Sequence, residues 1–509
     1  MAMSILLGID VGTTGIKALA VRPDGSIAAE SFSGYEISSP RVKWAEQNPE
    51  DWWDAFCIAT RELLSSGIRP DEVAAIGLSG QMHTSVFLDE DMNVIRPAIL
   101  WCDVRTTSQC ETINERVGFE LLRGEAANPA LEGFTAPKLL WLRENEPENY
   151  KKLKHLLIAK DYVRFRLTGE LATDLSDAAG TILFNVGERK WSKNILRALE
   201  IDAAILPRVV ASHEVSGQIT REAAEATGLA DGTPIVGGGA DNACAAVGAE
   251  IIEEGAIQVS IGSSGVVLAA LSEYRVDEGM RLHCMNHAAP DRWYLMGVML
   301  AAGLSFKWLK ENLCAREMEL SGESGVDAYE LMTDMAASIP PGSEGLIFLP
   351  YLSGERTPHA DSDARGMFIG LTLRHTRAHM IRAVMEGIAF GLRDSLEIIR
   401  DLGVEIDKIT LVGGGARSAL WRQILTDVFG HETRTLSVTD AAPFGAALLA
   451  GVGAGVYSDC SAAAEATVRE SGRTSPIAAN VDRYEKQYSI YRDLYSSNRD
   501  HFKRLSTLS

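Results

Sequence analysis

The sequence predicts an α/β protein built from two related domains with a ligand cleft between them. Three observations carry that prediction. At 509 residues the chain is longer than one hydrophobic core supports, so two or three domains are expected. Leu6-Leu7-Gly8-Ile9-Asp10-Val11-Gly12-Thr13-Thr14-Gly15-Ile16-Lys17-Ala18-Leu19-Ala20 reads as two apolar strands joined by a tight turn. Gly12 and Gly15 supply backbone angles that other residues avoid. The pattern then returns 250 positions later in Gln258-Val259-Ser260-Ile261-Gly262-Ser263-Ser264-Gly265-Val266-Val267. Ser260 stands where Asp10 stood, Gly262 for Gly12, Ser263 and Ser264 for Thr13 and Thr14, and Gly265 for Gly15.

Such turns aim several N–H groups and hydroxyls in one direction, which suits phosphate oxygens. The Asp10 carboxylate would repel a bare phosphate but would serve a bridging Mg²⁺. Only the first copy keeps the acid, so a metal would belong to the N-terminal half. Either hairpin alone reads as an ordinary Gly/Ser turn; the match at five positions favours duplication around one nucleotide.

Composition narrows the function class. Hydrophobic residues at 46% and charged residues at 23% are ordinary globular values. A net charge of −20 opposes nucleic-acid binding, which needs basic patches. A nucleotide site would therefore be a local exception made of backbone N–H groups and a metal. No secretory leader pattern opens the chain, and one of the two longest uncharged runs, residues 441–458, is rich in Gly and Ala and contains Pro443. That run predicts a buried helix followed by a loop, not a membrane span. Seven cysteines without a Cys-x-x-Cys pair predict reduced thiols and a cytoplasmic setting.

Along the chain, Pro23-Asp24-Gly25 marks a turn, and residues 26–31 predict a third strand. A helix follows: Asn48 caps it, Pro49 opens it, Glu50 and Asp51 favour its positive end, and Gly67 closes it. Trp52, Phe56, Ala59 and Leu63 recur at helical spacing and predict core. Residues 73–79 predict a strand ending in Gly80-Gln81-Met82-His83, and residues 98–101 another ending in Cys102-Asp103. Strand-end loops of α/β domains are where ligands bind. His83 and Asp103 each read as turn residues alone; together they predict a polar pocket for a hydroxylated ligand. Residues 234–236 lead into Gly237-Gly238-Gly239-Ala240-Asp241-Asn242 and a small-residue helix over 243–249. Asp241 could be a helix cap, but three preceding glycines favour a substrate-facing carboxylate with bare backbone beside it.

In the second half, residues 409–412 run into Gly413-Gly414-Gly415-Ala416-Arg417 and a helix through Trp421 and Leu425 to Phe429, ended by Gly430. This strand, glycine turn and helix start suit a nucleotide, although neither the dinucleotide fingerprint nor a Walker lysine is present. His283-x-x-x-His287 and His375-x-x-x-His379 have two-histidine spacing without the intervening glutamate of a zinc motif. Tyr484, Tyr488, Tyr491 and Tyr495 recur at helical spacing and predict a helix packed on the body of the protein.

Taken together, the motifs resemble the FGGY carbohydrate kinases of the actin-like ATPase superfamily. The resemblance rests on the Gly8–Gly15 run, Ser79-Gly80-Gln81-Met82-His83, Phe134-Thr135-Ala136-Pro137-Lys138, Lys160-Asp161-Tyr162, Leu167-Thr168-Gly169-Glu170 and Ser176-Asp177-Ala178-Ala179-Gly180-Thr181. Later matches are Pro350-Tyr351-Leu352-Ser353-Gly354-Glu355-Arg356-Thr357-Pro358-His359, Gly413-Gly414-Gly415-Ala416-Arg417-Ser418, and Gly370, His379, Ala383 and Glu386 at signature spacing. Ala240 stands where many relatives have glycine.

The resemblance implies two ribonuclease-H-like domains, here 1–247 on the sugar and Mg²⁺ side and 248–509 on the nucleotide side. It carries the general-base role onto Asp241 and the Mg²⁺-associated role onto Asp10. Sugar contacts fall to Met82, His83, Asp103, Asp241 and Asn242. Nucleotide and phosphate contacts fall to Thr13, Thr14, Lys17, Ser263, Gly303, Gly414, Gly415 and Ser418. The Gln81-Met82-His83 loop matches the members that phosphorylate D-xylulose; those acting on glycerol typically carry Arg-Glu there. ATP and Mg²⁺ are the implied cofactors, the sugar is the small-molecule partner, nucleic acid and membrane are not partners, and a homodimer is a family-level expectation. Asp177, Glu355 and Arg356 remain open between ligand contact and scaffold, the last two reading equally as a structural ion pair. Rival functions are phosphorylation of ribulose, glycerol or gluconate, and a non-catalytic nucleotide- or sugar-binding relative.

Overall fold

The computed structural model describes residues 4–508, and two seven-stranded sheets organise them. From edge to edge the first sheet runs Val215–Gln218, Pro234–Val236, Val73–Gly80, Ile5–Val11, Gly15–Val21 and Ile27–Gly34, with Gly239–Ala240 also paired to Val73–Gly80. The second runs His283–Asn286, Trp293–Met299, Gly265–Leu271, Ala256–Ile261, Lys408–Val412, Thr433–Leu436 and Glu470–Thr474.

Each sheet is built around the same unit. An incoming strand pairs antiparallel with the strand after its hairpin and parallel with a later strand that ends in a ligand-type loop. Asp10 lies opposite Ser79, and Ser260 opposite Val412. The returning strands differ by one residue: Val11 pairs with Ile16, whereas Ile261 pairs with Gly265. The cause is the turn. Gly12 N–H reaches Gly15 O at 3.1 Å, spanning two residues, while Gly262 N–H closes on Ser264 O at 3.0 Å and spans only Ser263.

One face of the first sheet is covered by the helix Pro49–Ser65, whose cap is the Asn48 side chain accepting from Glu50 N–H at 3.3 Å. Trp52, Phe56, Ala59 and Leu63 are all fully buried, so this stripe is core. The other face is covered from the far half of the chain by the helix Ala441–Gly453, which is the uncharged run. It sits backbone on backbone. A Cβ on Gly8 would lie 1.8 Å from Pro443 O, and one on Gly77 would lie 1.9 Å from Ala446 O. The helix Asp241–Gly248 meets the same helix equally closely: a Cβ on Gly445 would lie 1.9 Å from Cys244 O, and one on Gly248 would lie 2.2 Å from Ala441 O.

Several sequence expectations shift in detail. The third strand covers Ile27–Gly34, and the strand at 98–101 shrinks to Ala98–Ile99, with Leu100 N–H still bonded in register to Ala45 O before the chain turns at Trp101. The C-terminal helix, Ala478–Ser506, buries Tyr484, Tyr488 and Tyr491 against Phe390. Their hydroxyls pair with Glu386, Asp394 and Tyr351, which satisfies the polar ends of a stripe that would otherwise be costly to bury. Among the described residues no helix is long and apolar enough to cross a membrane, and the seven cysteines are unpaired thiols.

The histidine pairs are structural. His283 Nδ1 meets Asn128 Oδ1 at 2.9 Å, and His287 Nε2 meets Ile251 O at 2.9 Å. His375 and His379 each accept a backbone N–H at Nδ1, from Thr372 and Thr376. No group of three or more His, Cys, Asp or Glu side chains among the described residues is arranged to hold a metal ion.

Candidate active site

The strand ends of the first sheet bring Asp10, the Gln81–His83 loop and Asp241 together. Asp10 closes the incoming strand, and its Oδ1 accepts the Ser79 hydroxyl at 2.8 Å from the neighbouring strand. Its other oxygen faces Gly12, where a Cβ would stand 3.2 Å away. Burial, opposed by the Ser79 bond and reinforced by Asp440, raises the Asp10 carboxyl to about 6.

Asp241 is the first residue of its helix, not the cap; Ala240 occupies the cap position and offers no side-chain oxygen. The glycines ahead of it allow that placement. Gly238 takes φ +71° with Leu78 O where a Cβ would be, and Gly239–Ala240 pairs with Ser79–Gly80. Asp241 Oδ1 accepts both Asn242 N–H at 2.7 Å and Asn242 Nδ2 at 3.0 Å, and among the described residues Oδ2 has no donor. Burial, then the nearby Asp10 carboxylate, pushes Asp241 up to about 7. A carboxylate with one oxygen anchored, the other free, and a pKa near neutrality has the properties of a general base.

Asn242 Nδ2 also approaches Met82 Sδ at 3.7 Å, linking Asn242, and through it Asp241, to the Gln81–His83 loop. His83 has a left-handed backbone, φ +63°, and its ring packs on Phe134 with centroids 4.4 Å apart. His83 Nδ1 lies 2.7 Å from Gly180 O; a carbonyl only accepts, so Nδ1 carries the proton and Nε2 is an acceptor. Burial, then the Lys138 charge, lowers its pKa to about 3, so the ring is neutral. A neutral imidazole with a free acceptor nitrogen suits a sugar hydroxyl.

Asp103 is placed differently from the sequence expectation of a pocket-facing carboxylate. It is fully buried, and its oxygens take Ala45 N–H at 2.6 Å, Arg105 N–H at 3.0 Å and the Arg105 guanidinium at 2.6 Å. Its acceptors are spent on the frame, so the strand-end rule finds the loop but not the orientation. Lys17 shares the Asp10 face of its hairpin and pairs with Glu30 at 2.8 Å and Asp440 at 3.9 Å. Thr13 Oγ1 accepts the Trp101 indole N–H at 2.9 Å, while Thr14 is exposed.

Ser263, Gly303, Gly414, Gly415 and Ser418 come together around one cavity of about 880 Å³ in the second half. Its walls include Phe306, Tyr329 and Trp421; the Phe306–Tyr329 centroids are 5.5 Å apart and the Phe306–Trp421 centroids 5.0 Å. Apolar rings on one side and glycine backbone on the other suit a heterocycle with a polar tail. The glycines differ in role. A Cβ on Gly303 would lie 2.2 Å from Gly262 O, so Gly303 keeps the hairpin and helix in contact, whereas a Cβ on Gly414 would come no nearer than 4.0 Å to Ile261 O.

The sequence model for the N-terminal domain of the FGGY family of carbohydrate kinases matches residues 5–248, and that for its C-terminal domain matches residues 257–454. The chain belongs to the FGGY family of carbohydrate kinases. It is 40% identical over 499 residues to the xylulose kinase of Bacillus subtilis (strain 168), covering 98% of each chain. The ligand-bound xylulose kinase of Lactobacillus acidophilus is similar in structure at a TM-score of 0.92 and 27% identity, covering 99% of this chain and 100% of the other. The gluconate kinase of Lactobacillus acidophilus gives the same TM-score, identity and coverage, so the backbone is shared between FGGY kinases named for different sugars.

Sequence reasoning missed several neighbours of the site in this FGGY kinase. Trp101 is about half exposed and reaches Thr13, although it was legible only as the end of an apolar run. Asp440 precedes the Ala441–Gly453 helix and bears on Asp10 and Lys17 from the other half of the chain. Lys138 is buried, donates to His83 O at 2.9 Å and Gly133 O at 2.7 Å, and has its pKa lowered by burial to about 7. The Glu355–Arg356 side-chain ion pair does not form. Glu355 Oε1 accepts Leu300 N–H at 3.0 Å and Arg356 N–H at 2.8 Å, while the Arg356 charge bears on His83. Asp177 is buried scaffold, 3.1 Å from Lys160 Nζ.

Proposed function

We propose that the protein transfers the γ-phosphoryl group of ATP to D-xylulose, giving ADP and D-xylulose 5-phosphate. The observation that carries this reading is Asp241: one of its oxygens is anchored by Asn242, whose amide reaches Met82 of the Met82–His83 loop, and burial brings its pKa near neutrality. The similarity to xylulose kinases over nearly the whole chain supports the choice of sugar. Domains 1–247 and 248–509 divide the work, the first holding sugar and base and the second holding nucleotide.

In the reaction, His83 Nε2 accepts from a sugar hydroxyl and Asn242 holds the Asp241 carboxylate in place. The reacting hydroxyl attacks the γ-phosphorus, the bond to the β-bridging oxygen breaks, and the proton passes to Asp241 Oδ2. Such help contributes about a hundred- to ten-thousand-fold. Positioning and charge neutralisation supply the remainder of catalysis in phosphoryl transfer.

Mg²⁺ fits the residues present. Among the described residues the Asp10 oxygen facing Gly12 has no donor, and Asp10 and Asp241 raise the local negative charge that a cation relieves. Mg²⁺ takes one or two carboxylates together with substrate phosphates, so an all-protein cage is not required. Asp10 would hold it, and its chemistry would be neutralisation of phosphate charge.

ADP release measured with Mg-ATP against D-xylulose, D-ribulose, L-ribulose, L-xylulose, glycerol and gluconate tests the reading. The expected result is the highest kcat/KM for D-xylulose. A preference for gluconate or another polyol would overturn the substrate assignment while leaving the kinase class intact.

A further inference from the structure

One buried network lies beneath both sides of the sugar site and takes no part in the chemistry above. Lys160 Nζ is 2.7 Å from Asp161, 2.9 Å from Asp174 and 3.1 Å from Asp177, and all four side chains are essentially without solvent exposure. Asp174 Oδ2 accepts Ser176 N–H at 2.7 Å, the Ser176 hydroxyl at 2.5 Å and the Ser212 hydroxyl at 3.1 Å. The Ser176 hydroxyl thus donates its hydrogen bond to Asp174, and its oxygen is free to accept. It accepts the Ala240 N–H at 2.9 Å, the peptide N–H one residue before Asp241.

The same short segment reaches the other side of the site. The helix Leu175–Ala179, which contains Ser176, is followed by its C-cap Gly180, whose carbonyl accepts the His83 Nδ1–H hydrogen bond and so leaves Nε2 as the acceptor. A Cβ on Gly180 would lie 2.8 Å from the His83 ring, so the ring is seated on that backbone. Lys160 also lies under Gly80, where a Cβ would be 2.9 Å from Lys160 Cβ, and Gly80 pairs with Ala240. Two sugar-facing groups from different strand ends are therefore held by one segment of about seven residues, counted from Asp174 to Gly180.

We propose that Ser176 is a positioning residue for phosphoryl transfer: through Asp174 and Lys160 on one side and Ala240 N–H on the other, it sets the Asp241 carboxylate relative to the sugar held by His83. The inference rests on the assignment of Asp241 as base. Ser176→Ala leaves Ala240 N–H and Asp174 each one partner short, in a place water does not reach. Misplacement of a reacting group by about 1 Å costs on the order of a hundred-fold.

The test is Ser176→Ala beside Ser176→Thr and the unaltered enzyme, assayed with Mg-ATP and D-xylulose, together with a crystal structure of Ser176→Ala. In Ser176→Ala the expected kcat is about ten- to a hundred-fold lower, with an unchanged KM for ATP and a cooperative thermal transition. Ser176→Thr, which keeps the hydroxyl, recovers most of the rate. The crystal structure shows Asp241 moved relative to His83. A kcat within about twofold of the unaltered enzyme, a loss that Thr does not recover, or an unmoved Asp241 overturns the inference. Inactivity of the unaltered enzyme on D-xylulose overturns the substrate reading instead, and the Asp241 displacement then decides the positioning claim alone.

Discussion

The two hairpins present the same scaffold with opposite equipment. At the end of the first incoming strand stands Asp10, its carboxyl raised to about 6 by burial and tied to Ser79; at the equivalent place in the second stands Ser260, opposite Val412. The first turn spans two residues and faces a second carboxylate, Asp241. The second spans one residue and opens on a cavity of about 880 Å³ walled by rings and glycines. On the proposed reading, one copy supplies a carboxylate that would hold Mg²⁺ against phosphate charge, and the other supplies space and backbone for a heterocycle. On that reading a duplicated fold divides the two demands of a kinase, reaction and nucleotide retention, between its copies, which differ in the residue at the strand end and in the length of the turn.

Substitutions that erase one side of this contrast should affect only that side. The largest expected effect is Asp241→Asn, which keeps shape and the Asn242 contacts but removes the proton acceptor. The turnover number should fall by about a hundred- to ten-thousand-fold while ATP binding by calorimetry is retained. Loss of ATP binding in the folded variant would place Asp241 on the nucleotide side and break the division. Next, Asp10→Asn should lower kcat by about a hundred-fold, as expected for loss of a charge that supports the transition state. Ser260→Ala, its counterpart, should stay within about threefold in the same steady-state assay; equal effects would mean that the hairpins share one role.

Gly414→Leu tests the second side. The position has free space, so the variant should fold, but its side chain enters the cavity. The KM for ATP should rise about tenfold, equivalent to about 1.4 kcal/mol, with the KM for sugar unchanged. The last effect is on stability, not on turnover. Asp10 and Asp241 have folded pKa values of about 6 and about 7, above the ordinary aspartate value of 3.8. Groups raised in this way contribute stability below the unfolded pKa, and the contribution is lost as pH rises through the folded pKa. The ligand-free protein should therefore lose stability between about pH 4 and pH 7. Asp241→Asn should match it near pH 4 and exceed it by about 4 kcal/mol at pH 8, read by denaturant titration.

The parts legible from sequence were those with a local chemical signature. Glycine turns at strand ends pointed to Asp10, His83 and Asp241, whereas Met82 and the Ser263, Gly303, Gly414, Gly415 and Ser418 set, which the structure gathers around one cavity, came from the resemblance to the FGGY kinases. Periodicity identified the Trp52 stripe as core and the Tyr484 stripe as a packed helix. Orientation within a loop was not legible: Asp103 and Arg105 are two residues apart, and only the fold shows that the guanidinium turns back on the carboxylate. Contacts brought by distant chain were equally hidden. Asp440 and Arg356 reach the site from the second half, and no pattern near Asp10 or His83 announces them. The one-residue slip in the second hairpin also escaped a comparison of letters, because it lies in which amide bonds to which carbonyl.

The glycines beneath the helix Ala441–Gly453 carry one more consequence. At Gly8, Gly77, Gly248 and Gly445 the nearest neighbour of any added carbon is a peptide oxygen at 2.2 Å or less, and a peptide oxygen has no rotamer with which to yield. Each of the four is a one-letter position. In a library of single substitutions these sites would read as intolerant as a catalytic carboxylate, although none of them touches substrate. Intolerance alone would therefore mislead a search for active-site residues in this chain, and the distinction between chemistry and contact has to come from geometry.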